Sequence, residues 1–132
     1  MLKSESSSPE KRSEIENNEI ITRLKSHMEV HEPYLDSNLS IYNLAKQLGV
    51  PVRELSIGIN HTLDKHFFDF INEYRIKKAM DLIRNSEDEK LTILEVLYEV
   101  GFNSKSSFNT AFKKHTGITP TEFNKSASFR VD

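Results

Sequence analysis

Lys105, Ser106, Asn109, Thr110 and Lys113 recur at the spacing of one helical face and bring together cations, hydroxyls and an amide. Such a set suits a polyanion whose edges must also be read. Amides and hydroxyls exchange hydrogen bonds with base edges, and lysines meet phosphate. Phe108, Ala111 and Phe112 occupy the opposite face. A helix so divided is apolar inside and short, polar and basic outside, as an element entering a major groove must be. Lys114 and His115, just beyond, read as phosphate-facing or simply exposed. Catalytic chemistry finds no comparable set: there is no Gly-rich phosphate loop and no nucleophile beside an ordered base. Cysteine is absent, so disulfides and cysteine-based metal or redox chemistry are excluded. His27 and His31 stand at i, i+4, a spacing that can chelate zinc. Met28, however, stands where the zinc-protease signature needs Glu, and no third ligand is evident. The chain therefore reads as no enzyme, with no cofactor and no metal.

The reading helix needs a partner helix and a turn. Ile93, Val96, Leu97 and Val100 fall at helical spacing and define a buried face. Gly101 follows, where a positive φ commonly ends a helix. Asn103 and Ser104 can cap the next helix, Gly117 ends it, and Thr119 with Pro120 opens a third at the favoured N-cap and first-turn positions. Residues 40–63 (SIYNLAKQLGVPVRELSIGINHTL) repeat the design. Ser40 is a plausible N-cap, and Ile41, Leu44, Ala45 and Leu48 mark one face. Gly49 ends that helix, and Leu55 with Ile59 marks the inner face of the next. Gly49 matches Gly101, and Leu55 and Ile59 match Phe108 and Phe112. Two such units are too few for a solenoid.

Between the units, residues 65–85 carry Phe67, Phe70, Ile71, Tyr74, Ile76, Ala79, Leu82 and Ile83, two apolar faces on one long helix that would serve two cores. Arg75 on this helix, near carboxylates, reads as a structural ion pair. Ahead of the first unit, residues 14–31 read as one amphipathic helix with Ile15, Ile20 or Ile21, Leu24, Met28 and His31 along one side, stopped by Pro33. The expected organisation is a disordered linker at 1–13, a first helix-turn-helix subdomain at 14–66, a linker helix at 67–85, a second subdomain at 86–126 and a tail at 127–132. The expected fold class is all-α, with about seven helices.

The formal net charge is −2, which looks wrong for a nucleic-acid binder. Its distribution matters more. Residues 1–36 hold five Lys/Arg and eight Asp/Glu, giving −3, whereas residues 104–132 hold five and two, giving +3. Binding responds to the local field rather than the total. No apolar run is long enough to cross a membrane, and residues 1–10 lack the apolar core of a signal peptide.

Residues 96–123 (VLYEVGFNSKSSFNTAFKKHTGITPTEF) resemble the second helix-turn-helix of the AraC/XylS family of bacterial transcription regulators. The Gly-Phe pair, the Phe-x-x-x-Phe-Lys-Lys run and the Gly-Ile-Thr-Pro-x-x-Phe tail carry the likeness, which extends over residues 19–125. Arg75, Ile76, Ala79 and Leu82 match that family's linker-helix pattern. The resemblance implies double-stranded DNA as partner, with two recognition helices in successive major grooves. It also implies a cytoplasmic location, or the cytoplasmic side of a membrane-bound regulator. A sensor domain N-terminal to this segment is the further partner implied, with RNA polymerase as another. In the first unit it points to Arg53, Ser56, Ile57, Asn60 and His61 as DNA-binding. Ile57 stands where the family often has Arg, so that it packs on thymine methyls, fills a protein contact or is buried. Gly58 follows, at a cost of about 1 kcal/mol in a helix interior. The competing reading is a protein-interaction module that kept the fold and lost specific DNA binding.

Overall fold

The computed structural model describes residues 9–86 and 91–128. Among them the chain is all-α, with seven helices and no strand: α1 Pro9–His31, α2 Ile41–Leu48, α3 Val52–Ile57, α4 Phe67–Asn85, α5 Ile93–Glu99, α6 Lys105–Thr116 and α7 Pro120–Ser128. A 3-10 turn, Pro33–Leu35, follows α1, and a π-turn, Gly58–Thr62, follows α3. Phe129 and Val131 lie outside the described residues.

The helix starts are local chemistry. At Ser40 the hydroxyl accepts from the Asn43 N–H at 3.1 Å while the Asn43 amide oxygen accepts from the Ser40 N–H at 3.3 Å. Thr92 and Glu95 repeat this reciprocal cap at α5, at 3.1 and 3.3 Å. The Ser104 hydroxyl accepts from the Ser107 N–H at 3.2 Å and opens α6. At the other end of α6, Gly117 takes φ 84° and donates to the Lys113 carbonyl at 2.8 Å.

Contacts divide the chain into two units. In the first, α1, α2 and α3 pack around Leu24, Met28, Leu44, Ala45, Leu55 and Ile59, all essentially without solvent contact. Arg23 of α1 donates to the Leu48 carbonyl and satisfies a free acceptor at the end of α2. Two α1 expectations need correction. Ile15 and His31 are exposed. Counting back from Met28 and Leu24 by helical steps gives Ile21 and then Asn17, so Ile15 sits about half a turn off the stripe. The helix also begins at Pro9, inside the stretch expected as linker, because proline's missing N–H and fixed φ suit the first turn.

The second unit has its core in Ile76, Ala79, Val96, Leu97, Val100, Phe102, Phe108, Ala111, Phe112 and Phe123. Its aromatic rings form a continuous line: Phe102 to Phe108 at 5.3 Å, Phe108 to Phe112 at 5.6 Å and Phe112 to Phe123 at 5.5 Å, all edge-on. This unit also contains Tyr34–Asn38, although in sequence those residues precede α2. Helix α4 begins in the first unit and continues from Ile71 in the second.

Candidate nucleic-acid interface

Helix α6 buries Phe108, Ala111 and Phe112 and leaves Lys105, Ser106, Asn109, Thr110 and Lys113 exposed. Those five follow the i, i+1, i+4, i+5, i+8 pattern, so they lie along one continuous stripe opposite the phenylalanines. The stripe spans about 12 Å at 1.5 Å per residue. Glu122, at the start of α7, has its carboxyl held below the usual range. The backbone N–H of Thr119 is the main cause, the Thr119 hydroxyl next, and Lys113 and Lys125 add weaker attraction. Lys114 is exposed like its neighbours, but His115 is not. Its Nε2 is buried without a hydrogen-bond partner among the described residues, and the residue lines a cleft of ≈ 630 Å³ with Ile76, Met80, Ile118 and Phe123. The phosphate-facing or exposed position expected for His115 is therefore corrected: at the end of α6 it turns back toward α4 and α7.

The first unit presents its candidates differently. Arg53 is exposed on α3, while Ser56 and Ile57 are half-buried. Helix α3 then ends, and Asn60 and His61 are carried by the π-turn, both exposed. The wider turn breaks the 3.6-residue period, so Asn60 and His61 are out of the phase that a continued α-helix would give them. The Asn60 amide donates to the Ser56 hydroxyl at 3.2 Å and so spans the junction. Gly58 has an ordinary helical φ of −58°, but a Cβ there would stand 3.2 Å from Ile21 Cδ1. Its conformational cost is thus accepted for close approach to α1. The sequence carried no sign of the π-turn beyond that glycine.

Sequence reasoning also misassigned Arg75. Among the described residues no ion pair within salt-bridge distance holds it. Its Nε donates to the Tyr34 carbonyl at 2.7 Å, one Nη to the Asp36 carbonyl at 3.0 Å, and the other to Asn72 Oδ1 at 3.3 Å. The guanidinium lies 5.6 Å from the centre of the Phe102 ring. Gly101 passes so close that a Cβ would fall 2.4 Å from the Tyr34 carbonyl oxygen and 2.9 Å from Arg75 Nε. The Gly-Phe pair adjoining the turn was the available signal, since one residue makes room for Arg75 and the other lies under it.

The histidine pair at i, i+4 brings its rings within 4.9 Å, and His27 Nε2 meets Gln47 Oε1 at 2.7 Å. Among the described residues no group of three or more His, Cys, Asp or Glu comes together as a metal site. None of their helices is long and apolar enough to cross a membrane.

The profile of the helix-turn-helix domain family matches residues 44–126. An uncharacterized HTH-type transcriptional regulator from the cgkA 5' region of Pseudoalteromonas carrageenovora is 31% identical over 103 residues, covering 72% of this chain and 57% of the relative. The Msm operon regulatory protein of Streptococcus mutans is 29% identical over 96 residues, covering 73% of this chain and 33% of that protein. The chain thus spans between a third and somewhat over half the length of these two relatives. Among solved structures, the C-terminal domain of AraT, a response regulator from Geobacillus stearothermophilus, superposes with a TM-score of 0.69 at 28% identity. That match covers 81% of this chain and 84% of that one. A transcriptional regulator of Chromobacterium violaceum, described as containing an AraC-type DNA-binding domain, has the same fold. Its TM-score is 0.70 at 23% identity, covering 84% of this chain and 94% of that one.

Proposed function

This chain belongs to the AraC-type helix-turn-helix family of transcription regulators, and we propose that it reads specific sequences in double-stranded DNA through two recognition helices. The exposed stripe of α6, set against the fully buried Phe108 and Phe112, carries this reading. Asn109 can pair with both edge atoms of an adenine, and Lys105 can donate to guanine O6 and N7. Ser106 and Thr110 fill the positions between them. Lys113, one turn further on, meets phosphate. In the first unit Arg53, Ser56, Ile57, Asn60 and His61 contribute a second, weaker reading surface. Its short α3 and half-buried Ile57 leave Arg53 with the two π-turn residues as its outermost groups.

The segment serves as the DNA-binding output of a longer regulator, with a sensor domain preceding it. Support comes from its similarity to the C-terminal domain of a response regulator and from the greater length of its relatives. DNA as target implies a cytoplasmic location for this part of the protein.

The test titrates Asn109→Ala and Lys113→Ala against a duplex selected by the wild-type chain and against a scrambled duplex, at several salt concentrations. Loss of Asn109 should cost about 1–3 kcal/mol on the selected site alone. Loss of Lys113 should weaken both duplexes alike and flatten the salt slope by about one unit. Equal losses on both duplexes for Asn109→Ala would show that it does not read bases. No loss from either, in folded protein, would hand the helix to the interaction-module reading instead.

A further inference from the structure

Arg75 is the only charged side chain in the core among the described residues, 5% exposed. Burial pulls its pKa down and the Asp36 carboxylate partly restores it, yet a guanidinium stays charged throughout. Holding a cation there is costly unless its donors are satisfied. Each of its three nitrogens has a partner, in the carbonyls of Tyr34 and Asp36 and the Asn72 side chain, and the guanidinium lies over the Phe102 ring.

We propose that Arg75 is the positioning residue of the second DNA-reading unit: it locks the Gly101–Phe102 turn onto the Tyr34–Asp36 backbone and so sets the face that α6 presents. This rests on the reading of α6 as a base-reading helix. The mechanical path is short. Arg75 lies on Phe102, Phe102 on Phe108 at 5.3 Å, and Phe108 on Phe112 at 5.6 Å. The last two rings are the buried side of α6, with no solvent exposure. In a close-packed interior there is no slack to absorb a shift of the turn, so α6 follows it. Base readout fails when donor and acceptor part by a few tenths of an ångström beyond their narrow range. A lysine on a flexible stem still finds its phosphate after the same shift. Disturbing Arg75 therefore harms discrimination between sequences more than affinity for DNA as such. Lysine cannot replace it, because only a guanidinium fork reaches both carbonyls from different nitrogens.

The experiment compares Arg75→Lys, Asn109→Ala and wild type on the selected and scrambled duplexes, well below each melting temperature, with folding checked by circular dichroism. Arg75→Lys should lose at least about tenfold in preference for the selected site. Its affinity for scrambled duplex should stay within about twofold and its salt slope unchanged. If Asn109→Ala loses preference while folded Arg75→Lys keeps it, Arg75 only stabilises the unit and the proposal fails. If neither loses preference, the reading of α6 itself has failed and takes the proposal with it. Should Arg75→Lys not fold, wild-type protein decides. The Arg75 Nε–H and Phe102 amide resonances should move on adding the selected duplex and stay still with the scrambled one. Movement of α6 amides alone would overturn the proposal.

Discussion

Gly49 and Gly101 occupy equivalent turns in the two units for different reasons. Both have left-handed φ, 68° and 102°. At Gly49 a Cβ would meet nothing within 4 Å, so only the backbone conformation favours glycine. At Gly101 a Cβ would strike the Tyr34 carbonyl at 2.4 Å, a backbone atom that Arg75 itself holds in place. Gly49→Ala should therefore cost about 1–2 kcal/mol, the strain of a side chain in the left-handed region. Gly101→Ala should cost about 3 kcal/mol or more, because that strain adds to displacement of a buried polar contact. Urea unfolding of the two variants measures the difference. Equal losses would mean that the Gly101 turn relaxes freely and that Arg75 holds nothing.

Elements in this fold are bounded by side chains close in sequence, and one of those boundaries responds to acid. The Thr119 hydroxyl accepts from the Glu122 N–H at 3.1 Å, and the Glu122 carboxylate accepts from the Thr119 N–H at 2.9 Å, which fixes the start of α7 behind Phe123. The bond to Thr119 is also what lowers the Glu122 pKa. A carboxylate whose folded pKa is depressed contributes stability above its unfolded pKa and loses it as pH falls through the folded one. Carbon-13 titration of the side chain should accordingly place Glu122 below the ordinary glutamate value. Glu122→Ala should remove the part of the acid-induced loss of α7 helicity that belongs to this residue. A Glu122 midpoint at or above the ordinary value would contradict the cap. Helix α6, started by Ser104 and stopped by Gly117, is the better formed of the two candidate reading helices. Helix α3, cut to six residues by the π-turn, is the poorer.

For the molecule as a whole, the −2 net charge conceals a +3 segment at residues 104–132. Attraction to random duplex should be modest and its salt slope shallow, since few phosphates are neutralised. If both units read DNA, hydroxyl-radical footprinting should show protection in two successive major grooves, about 34 Å apart along the duplex. Arg53→Ala should weaken one of those two patches and leave the other. A footprint confined to one groove, unaffected by Arg53→Ala, would leave α6 as the sole reader.

Much of this was legible in the sequence because it is local. The caps at Ser40, Ser104 and Thr119, the stops at Gly49 and Gly117, and the division of α6 into Phe108–Phe112 and Asn109–Lys113 faces depend on residues three or four apart. Helical periodicity reports those relations directly. The paired units and their family followed from such local patterns taken together. Tertiary structure alone decided the rest. Arg75 bonds to two residues 39 and 41 positions away, and those two partners are backbone carbonyls, which any residue supplies and no sequence pattern marks. The space for Gly58 without a side chain is set by Ile21 on a different helix. His115 turns inward because of what α4 and α7 place beside it. In each case at least one neighbour is distant along the chain, for His115 those on α4, and only packing brings it near.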